Sequence, residues 1–136
     1  MKTTDIDNLI SELKGDATLL SMVDSSNIRI GWVNVISEFP SVIITIVGDD
    51  IIQKLGYSTS PDGSKERVDT GRVQIDIYSD KSARECAVIL DRITLILLQS
   101  SKFLKMRKTS DSQLFDNETR TWRRVTTWEF QNVHAD

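Results

Sequence analysis

TGRVQIDIYSDKSARECAVILDRITLILL, residues 70–98, decides the fold. Val73, Ile75 and Ile77 alternate with Arg72, Gln74, Asp76 and Tyr78, which gives a pleated strand one apolar and one polar face. Ser79 and Asp80 follow, with side chains able to accept the free backbone N–H groups at a helix start, and Glu85 places negative charge near that positive end. Ala83, Ala87, Leu90, Ile93 and Leu97 then recur every three to four residues, and Cys86, Ile89 and Ile96 widen the stripe enough to cover a sheet. Arg84, Glu85, Asp91 and Arg92 form the opposite face. The stretch predicts a half-buried strand, a tight turn and one long amphipathic helix.

Toward the N-terminus, Ile6, Leu9, Ile10 and Leu13 mark a helix over residues 5–14, with Thr4 or Asp5 as its cap. Gly15-Asp16 interrupts it, and a short second helix over 17–23 presents Leu19, Leu20 and Val23 before a loop at 24–27. The second helix is not basic, which argues against a DNA-reading helix–turn–helix. Residues 28–35 read as a strand with Ile28, Ile30, Trp32 and Asn34 on one face, Trp32 being a possible core or interface anchor. Residues 41–47 are apolar on both faces, as in an interior strand, with Pro40 at the entrance; Gly48-Asp49-Asp50 reads as a turn. The spans 51–57 and 66–77 form the strands of one long hairpin. Ser58, Pro61, Asp62 and Lys65 lie at its polar tip, which serves either as a connector or as a docking arm.

Beyond the long helix, residues 103–108 suggest a strand and 109–112 a turn. Residues 119–133 alternate again, with Trp122, Arg124, Thr126, Trp128 and Phe130 on one face and Arg123, Val125, Thr127 and Glu129 on the other. Arg120, Arg123 and Arg124 around Trp122 have the composition of a nucleic-acid patch, in which cations meet phosphates and a ring stacks on bases. Pairing with acidic neighbours such as Asp111, Asp116 and Glu118, or with another subunit, is the competing reading. Together the elements predict an α+β domain spanning 1–136: an antiparallel or mixed sheet packed against one long helix, with short N-terminal helices.

The 136 residues suit one domain, and a formal charge of −3 argues against a general nucleic-acid binder. A single cysteine, Cys86, sits on the apolar side of the helix and reads as a core residue rather than a reactive thiol. One histidine, His134, leaves no Ser-His-Asp, Cys-His or His-rich metal machinery. Asp76 with Asp80 could serve a metal-dependent nuclease only if further carboxylates converge on them. No catalytic residue, metal or cofactor is expected, and no membrane span or secretion leader, so folding in a cytoplasm is the expectation.

The order of elements resembles the tail-completion or tail-terminator proteins of long-tailed bacteriophages, including the tail-to-head joining proteins. The likeness rests on LISELKGDATLLSMV, on FPSVIITIVGDD entered through a proline, on GRVQIDIYSDKSARECAVILDRI, and on LFDNETRTWRRVTTWEF, an acidic turn followed by a closing strand. It covers nearly the whole chain and contains no catalytic motif. The resemblance implies a homo-oligomer, a hexameric ring on the head-proximal end of a tail tube, assembled in the host cytoplasm and incorporated in the virion. Its partners would be the tail tube protein and the head-tail connector, with DNA passing through the lumen without specific binding. Ser58, Pro61, Asp62, Lys65, Trp122, Arg123 and Arg124 are the interface candidates. Another neck or tube component, or a nucleic-acid module using the strand from Arg120 to Arg124, is the alternative.

Overall fold

The computed structural model describes the backbone of residues 3–31, 36–59 and 65–135, and the side chains of 5–31, 36–48 and 70–132. Helices α1 (Thr3–Lys14) and α2 (Ala17–Met22) precede strands β1 (Ile28–Ile30), β2 (Ser41–Thr59) and β3 (Lys65–Ser79). The long helix α3 (Ala83–Gln99) and strands β4 (Lys105–Asp116) and β5 (Thr121–Ala135) complete the chain. The strands form one mixed sheet in the order β1-β2-β3-β5-β4, with β1 parallel to β2 and the remaining pairs antiparallel. This is the expected α+β architecture.

Residues 70–98 behave as their pattern dictates. Val73, Ile75 and Ile77 are fully buried, and the stripe residues Cys86, Ile89, Leu90, Ile93, Ile96 and Leu97 that α3 lays on them are buried. Register extends this face across the sheet: Ile75 lies between Ile44 and Thr126, and Val73 between Ile46 and Trp128. Leu9 and Leu13 of α1 and Leu19 of α2 close the same core from the side of α3. One polar pair beside it is satisfied: Trp128 Nε1 donates to Thr126 Oγ1 at 3.0 Å and that hydroxyl donates to the Ile75 carbonyl at 2.8 Å.

Several local expectations are corrected. Ser82, not Ser79 or Asp80, caps α3: it is the last extended residue before the helix, and its hydroxyl accepts from Glu85 N at 3.1 Å. Ser79 instead ends β3, where its hydroxyl accepts from Lys81 N and Ser82 N and donates to Glu85 Oε1 at 2.7 Å. Asp5 is not a cap either. Helix α1 begins at Thr3, and the buried Asp5 carboxylate accepts from Asn132 Nδ2 at 3.0 Å, tying the start of the chain to β5.

Gly48-Asp49-Asp50 does not turn. These residues face Arg72, Gly71 and Thr70 within β2, because ladder hydrogen bonds outweigh local turn preference once a partner strand is present; a bulge between Ile46 and Gly48 takes up the irregularity. Residues 109–112 likewise continue β4, with a bulge between Lys108 and Ser110, and the chain turns at 117–120. Asp116 sets that turn by accepting from Glu118 N at 2.9 Å and Thr119 N at 3.3 Å. The first strand is shorter than the alternation of 28–35 implied: it stops at Ile30, before Gly31, whose φ of +102° suits glycine, and Ile30 is exposed although Ile28 is buried. Trp32, the expected anchor, lies outside the described residues. The loop expected at 24–27 is a 3₁₀ turn over Ser25–Asn27, capped by Asp24.

Candidate assembly surface

The hairpin expected from 51–57 and 66–77 is present and longer than expected. Antiparallel pairing runs from Ser41 and Tyr78 at its base to Thr59 and Lys65 near its tip. Strand β5 accompanies β3 along the whole length, from Trp122 opposite Ser79 to Ala135 opposite Glu66, so the arm is three-stranded through most of its length. Ser58 belongs to the end of β2 and Lys65 opens β3, while Pro61 and Asp62 lie outside the described residues. Trp122, Arg123 and Arg124 occupy the opposite end of β5. About 13 residues of strand at roughly 3.3 Å each put some 40 Å between Lys65 and Trp122, so the sheet separates these described candidates rather than joining them.

The arginines are engaged within the fold. On the sheet face away from the helices, Arg123 Nη2 donates to Asp76 Oδ2 at 2.6 Å, Gln74 Nε2 donates to both oxygens of the same carboxylate, and the guanidinium lies 5.5 Å from the Tyr78 ring centre. Burial works against the Arg123 charge, but Asp76 outweighs it and the net shift is upward. Burial raises the Tyr78 hydroxyl. On the helix-side face, Arg124 grips Asp111 with Nε at 2.6 Å and Nη2 at 2.9 Å, and Lys108 Nζ approaches the same carboxylate at 2.9 Å. The Arg124 hydrogen bond, with Lys108 assisting, holds Asp111 down at about 2.

Alternation therefore sends Arg123 and Arg124 to opposite faces, each to a carboxylate. Arg120, with φ of 54°, occupies the left-handed position that completes the turn into β5. The three arginines do not form one basic surface. The pairing expected between this strand and an acidic neighbour holds for Asp111, whereas Asp116 is used in the turn. Trp122 is half-buried against the core, with its ring 4.7 Å from that of Phe115.

Among the described residues the carboxylates do not converge on one site. Asp76 is held by Arg123 and Gln74, Asp80 is exposed, and among the described residues no group of three or more His, Cys, Asp or Glu could hold a metal ion. Cys86 is buried, which raises its thiol pKa, and its sulfur faces the carbonyl of Ile77. A shallow cleft of about 370 Å³ lies where Asp16 meets Arg92. Asp16 is committed there: it caps α2 through Leu19 N at 2.8 Å and receives Arg92 Nε and Nη2 at 3.0 and 2.7 Å, which lower its pKa. Among the described residues no helix is long and apolar enough to cross a membrane.

Pattern reading missed the sheet edges. Strand β4 is exposed along all its 12 residues except half-buried Met106. Around it Leu104, Leu114 and Phe115 are 63, 49 and 42% exposed; on the far side of the sheet Ile46 and Val47 are 46 and 55% exposed. The signal available was the apolar pair Leu114-Phe115 amid polar residues, directly before a turn.

No protein-family model and no curated protein sequence matches this chain. Among solved structures it is similar to a chain of the "Virion of native gene transfer agent (GTA) particle", with a TM-score of 0.62 and 11% identity over 90% of each chain. At that identity the likeness establishes a shared fold.

Proposed function

We propose that this protein is a structural subunit of a phage or phage-like virion, a single domain that closes as a hexameric ring on the head-proximal end of a tail tube. There it ends tube growth and offers the head connector a new surface. The observation that carries the reading is the shared fold, over nine-tenths of both chains, with a component of a gene transfer agent virion particle. The order of elements, already similar to tail-completion proteins, is in keeping with it. A repeating tube ends in an unsatisfied interface, and a ring that matches this interface on one side without repeating it on the other stops growth. The role requires no chemistry, and a formal charge of −3 per subunit suits a passage through which DNA slides without sticking.

The hairpin tip around Ser58, Pro61, Asp62 and Lys65 is the docking arm in this reading, and the end bearing Trp122, Arg123 and Arg124 is the second contact surface. Native mass over a range of concentrations, with negative-stain images of the same samples, tests it. A discrete sixfold ring with an open centre, or capping of purified tail tubes, is expected. A chain that stays monomeric and leaves tube ends uncapped would refute the reading. Deleting residues 58–65 should leave a folded subunit that no longer joins heads to tails.

A further inference from the structure

Among the described residues the sheet has two open edges, and their charges are opposite. Strand β4 is one edge throughout. On the other side β1 covers β2 only at Val42, Ile43 and Ile44, so among the described residues nothing pairs with the outer edge of β2 beyond Ile44. Such edges present unpaired backbone N–H and C=O groups and invite another strand. Three successive antiparallel pairings make β4 run opposite to β2, so β4 of one copy laid on β2 of the next continues the sheet's own pattern.

The rows of the sheet show which residues would meet. Lys105, Gln131, Thr70 and Asp50 share one row, Met106, Phe130, Gly71 and Asp49 the next, and Lys108, Trp128, Val73 and Ile46 a third. The start of β4 carries Lys105, Arg107 and Lys108, of which Arg107 also reaches Glu129 at 3.5 Å and Lys108 Asp111 at 2.9 Å. The segment 46–50 of β2 carries Asp49 and Asp50 beside exposed Ile46 and Val47. In this register Lys105 lies level with Asp50, Arg107 with Gly48 and Lys108 with Ile46, so the basic start of β4 runs beside the acidic part of β2. The β4 bulge between Lys108 and Ser110 lies level with Ile46 and Thr45, where β1 has just ended, so the bend lets the remainder of β4 pass outside β1.

Resting on the ring reading above, we infer that subunits join edge to edge, the basic start of β4 from one copy adding to the acidic part of β2 that no described residue covers in the next. Opposite edges give a head-to-tail contact, which closes rings when rotation permits.

The test is a charge exchange followed by native mass. Lys105→Glu with Lys108→Glu in one variant, and Asp49→Lys with Asp50→Lys in a second, should each weaken self-association about tenfold or more at unchanged circular dichroism. An equimolar mixture should recover assembly, because every β4 edge then finds an opposite β2 edge. Wild-type rings with variants that assemble as well as the parent, or a mixture that does not recover, would overturn edge pairing and leave the ring standing. A wild type monomeric with and without tail tubes would overturn both. Should a charge variant fold poorly, Arg107→Cys with Gly48→Cys on one chain replaces it: these residues share a row, and a Cβ at Gly48 meets nothing nearer than 3.7 Å. Oxidation should then give a ladder of trimers and larger species, while either single cysteine gives dimers at most; the absence of a ladder would overturn the proposal.

Discussion

Gly71→Ala should destabilise the middle of the arm. Gly71 is buried opposite Phe130, and a Cβ there would come within 2.8 Å of both ring Cε atoms, well inside the 3.5–4.0 Å at which carbon atoms attract. The ring has little room to retreat: it is 2% exposed, and Phe103 packs against it at a centroid distance of 5.0 Å. Overpacking of this kind costs about 1–3 kcal/mol. Alanine also stiffens the unfolded chain, which returns about 0.4–1 kcal/mol. The clash wins, leaving a net loss of about 1–2 kcal/mol and a melting temperature lower by roughly 3–8 °C for a domain of this size. Urea unfolding of the wild type, Gly71→Ala, Phe130→Leu and the double variant measures it. The double variant should be more stable than the sum of the single losses predicts, since the smaller side chain leaves space for the new methyl. A Gly71→Ala protein within 0.5 kcal/mol of wild type, or strictly additive losses, would refute the steric account; because the glycine lies midway along the arm, the variant should also assemble less well.

Further outcomes follow from the polar contacts. Thr126→Val should cost about 1–3 kcal/mol by leaving Trp128 Nε1 buried without an acceptor, and Thr126→Ser should cost less, both read from urea midpoints. Asp16→Ala should cost about 1 kcal/mol through the lost α2 cap and exceed the effect of Arg92→Ala, which spares the cap. Asp111 has a folded pKa depressed from 3.8 to about 2, so its contribution is present above 3.8 and disappears as pH falls toward 2. At about 1.4 kcal/mol per unit the ceiling is about 2 kcal/mol, and solvent screening reduces it to about 1; Asp111→Asn should flatten this part of the stability–pH curve. DNA titrations at two salt concentrations should show no steeply salt-dependent binding, because Arg123 and Arg124 already hold carboxylates.

Sequence by itself determined the elements whose burial follows from period alone. The alternation of Val73, Ile75 and Ile77 and the three-to-four spacing from Cys86 to Leu97 each admit one orientation against a core, because any other exposes the whole apolar set. Turn chemistry was less decisive. Gly48-Asp49-Asp50 and residues 109–112 are good turn formers on their own, yet both lie within strands, since a partner's ladder of hydrogen bonds exceeds a local preference. The strand order, the separation of the arm tip from Trp122 by the length of β5, and the assignment of Arg123 to Asp76 and Arg124 to Asp111 came only from tertiary structure. So did the open edges. A strand's own residues record which face is buried, but whether its backbone has a neighbour depends on the lateral order of strands distant in sequence.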